Sequence, residues 1–308
     1  MSKTAFVFPG QGAQYVGMGK DFYEAFPESK HRFQEASDCL GFSMEKLCFE
    51  EPERLNQTEY TQPAMVTVCG AILDQAARMG RKASVYAGLS LGEYSALYGC
   101  GVLGFTDAVK AVRRRGILME HTVPSGRGAM AAILGLSAEE TGKICAQVKG
   151  CVSIANDNCP GQIVISGEKE AVEDAVQSCR QAGARRATYL TVSGPFHSPM
   201  LEPAAPEFAE VLAAMDFKTP TVPYVSNVTA QYVTDRDEIV PLLIRQIYSP
   251  VCWRQSVMEM ARHGVDTFVE IGPGRTVSSL IRKTLPEART LHIEHVSDLE
   301  ILQEESEC

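Results

Sequence analysis

Gly88-Leu89-Ser90-Leu91-Gly92 constrains this chain more than any other stretch. An apolar run, Ala83-Ser84-Val85-Tyr86-Ala87, precedes it, and a helix-compatible run, Glu93-Tyr94-Ser95-Ala96-Leu97, follows. That context predicts a buried strand, one sharp turn and a helix, with Ser90 on the turn. The two glycines let the backbone turn tightly and leave room above the serine. The serine oxygen then stands at a helix start, where unpaired N–H groups favour a developing negative charge. The expected chemistry is an acyl-serine. Three fixed positions in five also recur by chance, and many such serines only cap helices, so both readings stay open on this motif alone.

A chain of 308 residues exceeds one small core, so one large domain or two unequal ones are expected. No apolar stretch is long enough to cross a membrane, and the run at Thr4–Phe8 is too short for a signal peptide. The 10 cysteines include no Cys-x-x-Cys pair, and several fall inside helical or strand patterns as small hydrophobes. That usage fits a reduced, cytoplasmic protein without a metal site. A net charge of −9 argues against nucleic-acid binding, which needs a positive face. Local basic patches remain at Arg113-Arg114-Arg115 and Arg185-Arg186.

The periodicities predict a strand at Thr4–Phe8 and helices over Gly19–Phe26, Ser29–Leu40 and Gln62–Met79. A helix capped by Thr106 follows the elbow and reaches about His121. After Pro124-Ser125-Gly126 the rhythm changes. Strand (Ala129–Leu136), helix (Ser137–Val148, with Glu140 completing a capping box), strand (Cys151–Asn156), a turn at Asn158-Cys159-Pro160-Gly161, strand (Gln162–Ser166), helix (Glu168–Ala182) and strand (Ala187–Val192) follow in order. This is the ferredoxin-like βαββαβ arrangement. The expected fold is therefore α/β: a hydrolase-like large domain with a parallel sheet, residues 1–125 and 193–308, carrying an inserted subdomain at 126–192. Helices near Pro203–Met215, Glu238–Ile247, Gln255–His263 and Thr276–Lys283 and strands at Val222–Ser226 and Thr267–Ile271 complete the large domain, and the last dozen acidic residues are expected to fray.

A serine nucleophile needs a general base. Of six histidines, His197 lies in a loop, Gly194-Pro195-Phe196-His197-Ser198-Pro199, between a strand and a helix, where catalytic groups are commonly mounted. A packing histidine is the plainer alternative. His31, His121 and His263 sit in helical patterns, and His292 and His295 have no motif around them. Pro9-Gly10-Gln11-Gly12 follows the first strand and can aim N–H groups above the sheet; it lacks the Lys-Ser/Thr end of a phosphate loop. Residues 113 to 115 point in three directions around a helix, so one of them can face inward and hold a carboxylate, while periodicity does not say which.

Taken together, Phe8-Pro9-Gly10-Gln11-Gly12, Gly88–Leu97, Gly126–Ala132, Asn156–Gln162, Pro195-Phe196-His197-Ser198 and Glu270-Ile271-Gly272-Pro273-Gly274 resemble the malonyl-CoA:acyl carrier protein transacylase family, in order and along essentially the whole chain. The resemblance implies that Ser90 is the nucleophile and His197 the base, with Gln246 orienting His197 through its backbone carbonyl. It implies an oxyanion hole from the N–H groups of Gln11 and Leu91, and a pairing of Arg115 with the free malonyl carboxylate. It also implies a monomer that uses malonyl-CoA and phosphopantetheinylated acyl carrier protein as substrates with no bound cofactor or metal, in fatty-acid biosynthesis. Arg185 and Arg186 match basic positions for carrier docking, with Arg282 and Lys283 as weaker alternatives. Leu89 stands where many members have histidine and others leucine, and Cys159 replaces a frequent serine. The alternatives are an acyltransferase serving a polyketide synthase, a serine esterase or thioesterase, and an inactive carrier-binding scaffold. An esterase leaves Arg115 unexplained, and a scaffold leaves the intact Ser90, His197 and Gln11 unexplained.

Overall fold

A computed structural model describes residues 3–192 and 194–300 of the chain. Ser193, where the large domain is expected to resume, and residues 301–308 of the acidic tail lie outside the described residues. In chain order the elements begin with β1 (Lys3–Phe8), α1 (Lys20–Ala25), α2 (Pro27–Leu40), α3 (Met44–Glu50), α4 (Pro52–Leu55), α5 (Thr58–Arg78), β2 (Val85–Gly88), α6 (Gly92–Gly99) and α7 (Phe105–His121). The middle of the chain forms β3 (Gly128–Leu134), α8 (Ala138–Gln147), β4 (Val152–Cys159), β5 (Gln162–Glu168), α9 (Lys169–Gln181) and β6 (Arg186–Tyr189). A 3-10 turn at Pro199–Ala204 leads to α10 (Ala205–Ala213), β7 (Tyr224–Val225), β8 (Tyr232–Val233), α11 (Arg236–Gln246), α12 (Trp253–Arg262), β9 (Val265–Ile271), α13 (Thr276–Thr284) and β10 (Arg289–Ile293).

The large sheet has the order β10-β9-β1-β2-β7-β8 and is parallel except for β8. β1 is its centre because Ala5-Phe6-Val7-Phe8 is apolar on both faces, as a strand covered on both sides must be. Successive side chains alternate between two cores. Phe6, Phe8 and Tyr86 join the apolar faces of α5, α6 and α7, whereas Ala5, Val7, Val85 and Ala87 pack with Trp253, Val257 and Met260 of α12 and Val277, Leu280 and Ile281 of α13. The second sheet, β4-β5-β3-β6, is antiparallel throughout, and α8 and α9 close a separate core over it. Its connectivity is the expected ferredoxin-like one. The Ser137–Glu140 capping box forms as read, with the Ser137 side chain accepting from the Glu140 N–H and the Glu140 carboxylate from the Ser137 N–H.

Two polar contacts stand out among those that tie the small sheet to the large domain. Val251 bridges β4 through backbone bonds to Ala155 and Asp157 (2.8 and 3.0 Å), and the Asp157 carboxylate accepts from Arg254 and Gln255 of α12 (2.9 and 2.8 Å). They fix one wall of the cleft between the sheets.

Several local expectations are corrected. Thr106 does not cap α7; Gly104 precedes the helix and Thr106 lies in its first turn. Asn158 and Cys159 extend β4, and the turn is confined to Pro160-Gly161, because β4 gains pairing from β5 as far as Gln162. The helix read over Pro203–Met215 opens as a 3-10 turn from Pro199 before α10 begins. The strand read at Val222–Ser226 shortens to two residues. The elements α3, α4, β8 and β10 are short, and their patterns carry too few periods to stand out.

At the elbow, β2 and α6 approach so closely that a Cβ on Gly88 would land on the Gly92 backbone, and one on Gly92 would meet the Phe8 carbonyl. Gly88→Ala is therefore expected to destabilise the fold by about 3 kcal/mol or more through overpacking against backbone, read as a lower urea midpoint at unchanged slope.

Candidate active site

Ser90 occupies the left-handed region, φ 53°, a conformation that costs a non-glycine residue energy and is held by its surroundings. Its N–H donates to Asn227 Oδ1 (2.6 Å), and its carbonyl accepts from Gln246 Nε2 (2.9 Å) and from the Glu93 N–H (3.1 Å). The side chain projects into a cleft between the two sheets, a cavity of about 130 Å³. Its walls include Gln11, Leu89, Leu91, Arg115 and Met119 from the large domain and Met130, Asn156 and Leu190 from the small one.

His197 also has positive φ, 57°, and is buried. Two consecutive carbonyls at the C-terminal end of α11 hold it: its N–H donates to Ile247 O (3.2 Å) and its Nδ1 to Gln246 O (2.8 Å). Because a carbonyl only accepts, the proton sits on Nδ1. Nε2 is left as an acceptor, 2.6 Å from Ser90 Oγ. A helix C-terminus carries partial negative charge and favours imidazolium, more weakly than a carboxylate would. Burial, and then the nearby Arg115 charge, push the His197 imidazole down to about 3.

The structure selects among the three arginines of α7. Pro63 in α5 cannot donate to the Glu59 carbonyl, and Arg113 Nη1 supplies that bond (2.7 Å) while pairing with the Glu59 carboxylate. Arg114 pairs with Glu207 at the surface. Arg115 alone turns inward and is 1% exposed. It donates to Gln62 Oε1 (3.0 Å), to Gln246 Oε1 (2.9 Å from Nη2) and to Ser90 Oγ (3.1 Å), and lies over the Tyr94 ring. No carboxylate oxygen of the described residues lies within 4.0 Å of it. Burial lowers the Arg115 pKa, against the pull of Tyr94 and Glu93. A buried guanidinium met only by neutral oxygens is a ready partner for a carboxylate brought in by a ligand.

Gln11 and Leu91 both line the cavity, and their N–H groups have no hydrogen-bond partner among the described residues. Leu91 directly precedes α6, so its N–H belongs to a helix start that favours an anion. Gln11 is fixed by its side chain, which donates to Thr58 Oγ1 (3.1 Å).

Three further residues are central to this network; Gln62 and Asn227 carry no motif that marks them in the sequence, and Glu93 lies within the Gly88–Leu97 motif with no role read for it there. Gln62 orients Arg115. Asn227 brackets the elbow, with Nδ2 donating to Gly88 O (2.7 Å). Glu93 is fully buried; Oε2 accepts from Gln246 Nε2 (2.5 Å) and the Asn227 N–H, while Oε1 has no partner among the described residues. Burial pushes its carboxyl up to about 7, against those bonds and the Arg115 charge. The other sequence candidates lie apart from the cavity lining. Arg185 and Arg186 are exposed at the start of the edge strand β6, and Lys283 donates to Gln162. His292, which no motif surrounds, is buried against Gly272 O. Glu59, Glu120 and His121 bring ligand atoms within 4.8 Å of one another, but Glu59 is already paired with Arg113 and Glu120 accepts the Glu59 N–H.

Chemically, the arrangement provides a hydroxyl held against a neutral imidazole, two free N–H groups nearby and a buried cation on the same oxygen. His197 is expected to stay neutral and Nδ1-protonated at about pH 5, where an ordinary imidazole is charged; ring nitrogen chemical shifts measured by NMR check this, and a charged ring there contradicts the assignment.

Known proteins resemble this chain in sequence and fold. The sequence family described as "Acyl transferase domain" matches residues 5–303. The chain is 45% identical over 305 residues to the malonyl CoA-acyl carrier protein transacylase of Bacillus subtilis (strain 168), covering 98% of this chain and 96% of that one. It is 46% identical over 287 residues to the protein of the same name from Escherichia coli (strain K12), covering 92% and 93%. Among solved structures, it is similar to an acyl carrier protein S-malonyltransferase from Vibrio cholerae, with TM-score 0.95, 44% identity and 98% and 100% coverage. It is also similar to a malonyl-transacylase solved in complex with a type II PKS acyl-carrier protein, with TM-score 0.96, 41% identity and 99% and 100% coverage.

Proposed function

Because this chain belongs to the acyl transferase family, we propose that its cleft transfers an acyl group through Ser90, and that the group is malonyl. The protein is an acyl-carrier-protein S-malonyltransferase that moves malonyl from malonyl-CoA to the phosphopantetheine thiol of acyl carrier protein, for fatty-acid chain elongation. The observation that carries the substrate reading is Arg115, a buried cation without a carboxylate partner, 3.1 Å from the Ser90 oxygen. A malonyl thioester placed on Ser90 would carry its free carboxylate to that guanidinium.

The residues then have the following roles. His197 Nε2 takes the Ser90 proton as Oγ attacks the thioester carbonyl. The tetrahedral oxyanion is received by the N–H groups of Gln11 and Leu91. The C–S bond breaks, and the coenzyme A sulfur leaves with the proton from His197. The carrier thiol next gives its proton to His197 and attacks the malonyl-serine carbonyl; Ser90 Oγ regains the proton as the new thioester departs. The Gln246 carbonyl keeps the imidazole in the required tautomer throughout. A neutral orienter supports imidazolium less than a carboxylate would, which disfavours the use of water as acceptor.

Arg185 and Arg186 are proposed to receive the acidic carrier. Arg186 opens β6, and Leu190, four residues on, already lines the cavity, so the docking edge leads into the cleft. The division into residues 1–125 with 193–308, and 126–192, is supported by the separate core of the small sheet. The enzyme is read as a cytoplasmic monomer acting without a bound cofactor; no helix among the described residues is long and apolar enough to cross a membrane. A polyketide carrier as acceptor is a second reading, favoured by the similarity to the transacylase solved with such a carrier.

Intact mass after brief exposure to malonyl-CoA tests the mechanism. A malonyl adduct is expected on the wild type, absent from Ser90→Ala, and discharged by holo-acyl carrier protein; decay at the same rate without carrier would mean a hydrolase. Arg115→Ala is expected to lose about 2–5 kcal/mol of transition-state stabilisation for malonyl, measured as kcat/KM, with little loss for a neutral acyl-CoA.

A further inference from the structure

The Ser90 turn is strained and cannot hold itself. The residue that closes on it most directly is not part of the elbow motif. Asn227 lies just after β7, at the parallel edge of the large sheet, 137 positions from the serine. Its amide spans the turn: Oδ1 accepts from the Ser90 N–H at 2.6 Å and Nδ2 donates to the Gly88 carbonyl at 2.7 Å. Both bonds are fully buried on the Asn227 side, and the residue is 0% exposed. Asn227 is itself fixed. Its carbonyl accepts from the Cys252 N–H (2.8 Å), and its N–H donates to Glu93 Oε2, which also holds the Gln246 amide.

We infer that Asn227 is a positioning residue for the transfer reaction, setting the pose of the Ser90 nucleophile toward His197 by bracketing the turn from Gly88 to Ser90. The Ser90 peptide is gripped at both ends, its N–H by Asn227 and its carbonyl by Gln246. Removing one grip lets the left-handed residue relax toward an ordinary conformation and swings Oγ away from Nε2. Asn227 does not line the cavity, so substrate binding through Arg115 does not depend on it. An amide is needed because the turn offers one donor and one carbonyl on the same side. A leucine would leave both unpaired, and an aspartate would set an acceptor against the Gly88 carbonyl.

This inference rests on the reading of Ser90 as the nucleophile, and the test separates the two. Rapid-quench measurement with malonyl-CoA gives the amplitude and rate constant of malonyl-serine formation for the wild type, Asn227→Ala and Asn227→Asp. No burst in the wild type would overturn the reading of Ser90 itself. With a wild-type burst, Asn227→Ala is expected to keep the amplitude per folded molecule and the KM for malonyl-CoA, while the rate constant falls about 10- to 100-fold, the scale of a misplaced reacting group. Asn227→Asp keeps an acceptor for Ser90 and loses the donor to Gly88, so a smaller fall is expected; it serves as the measured variant should the alanine form not fold. A wild-type rate constant per active site, with only the amplitude or the melting temperature lowered, overturns the inference. So does a raised KM at an unchanged rate constant, which would make Asn227 a substrate contact.

Discussion

A buried positive charge without a negative partner is the constraint on which this site is organised. Taking a guanidinium out of water is costly, and proteins usually offset that cost with a carboxylate. Arg115 is instead surrounded by amide and hydroxyl oxygens from Gln62, Gln246 and Ser90. The charge thereby remains available to a carboxylate that arrives with the substrate. The same charge disfavours protonation of His197, since an imidazolium would form beside a cation. In the proposed reaction, a malonyl carboxylate on Arg115 would offset that repulsion, so binding of the acyl group and the basicity of His197 would be coupled through the Arg115 charge.

Gln246 joins the parts. Its backbone carbonyl holds His197, its side-chain oxygen holds Arg115, and its side-chain nitrogen holds the Ser90 carbonyl and Glu93. These groups come from segments far apart in the chain: the elbow and α6, α7, and the loop before the 3-10 turn at Pro199–Ala204. The site is therefore preorganised by long-range packing, and reorganisation during the reaction is small. The small sheet contributes mainly wall, through Met130 and Asn156, and is anchored by the Asp157–Arg254 pair.

Much of the architecture was legible in the chain. The elbow follows from Gly88 and Gly92, whose missing side chains permit the contact between β2 and α6. The centre of the large sheet follows from the doubly apolar β1. The ferredoxin-like unit follows from alternating periods of two and 3.6 between Gly128 and Tyr189. What was not legible is of a different kind. Asn227 is a polar residue in an otherwise ordinary loop pattern, and nothing local distinguishes a buried, bonded asparagine from an exposed one. Asn158 and Cys159 belong to β4 because pairing with β5 outweighs their local turn propensity, and α7 opens one residue before Thr106.

The sequence by itself determined the longer elements, the sharp turn at Ser90 and the family of chemistry, because close glycine packing and side-chain periodicity are properties of neighbouring residues. Only the tertiary structure decided which of Arg113, Arg114 and Arg115 enters the cleft, which carbonyl holds His197 and which side chains clamp Ser90. Neighbouring residues on a helix differ by about 100°, so the inward one depends on the rotation at which α7 packs against α5. That phase is set by contacts between distant segments.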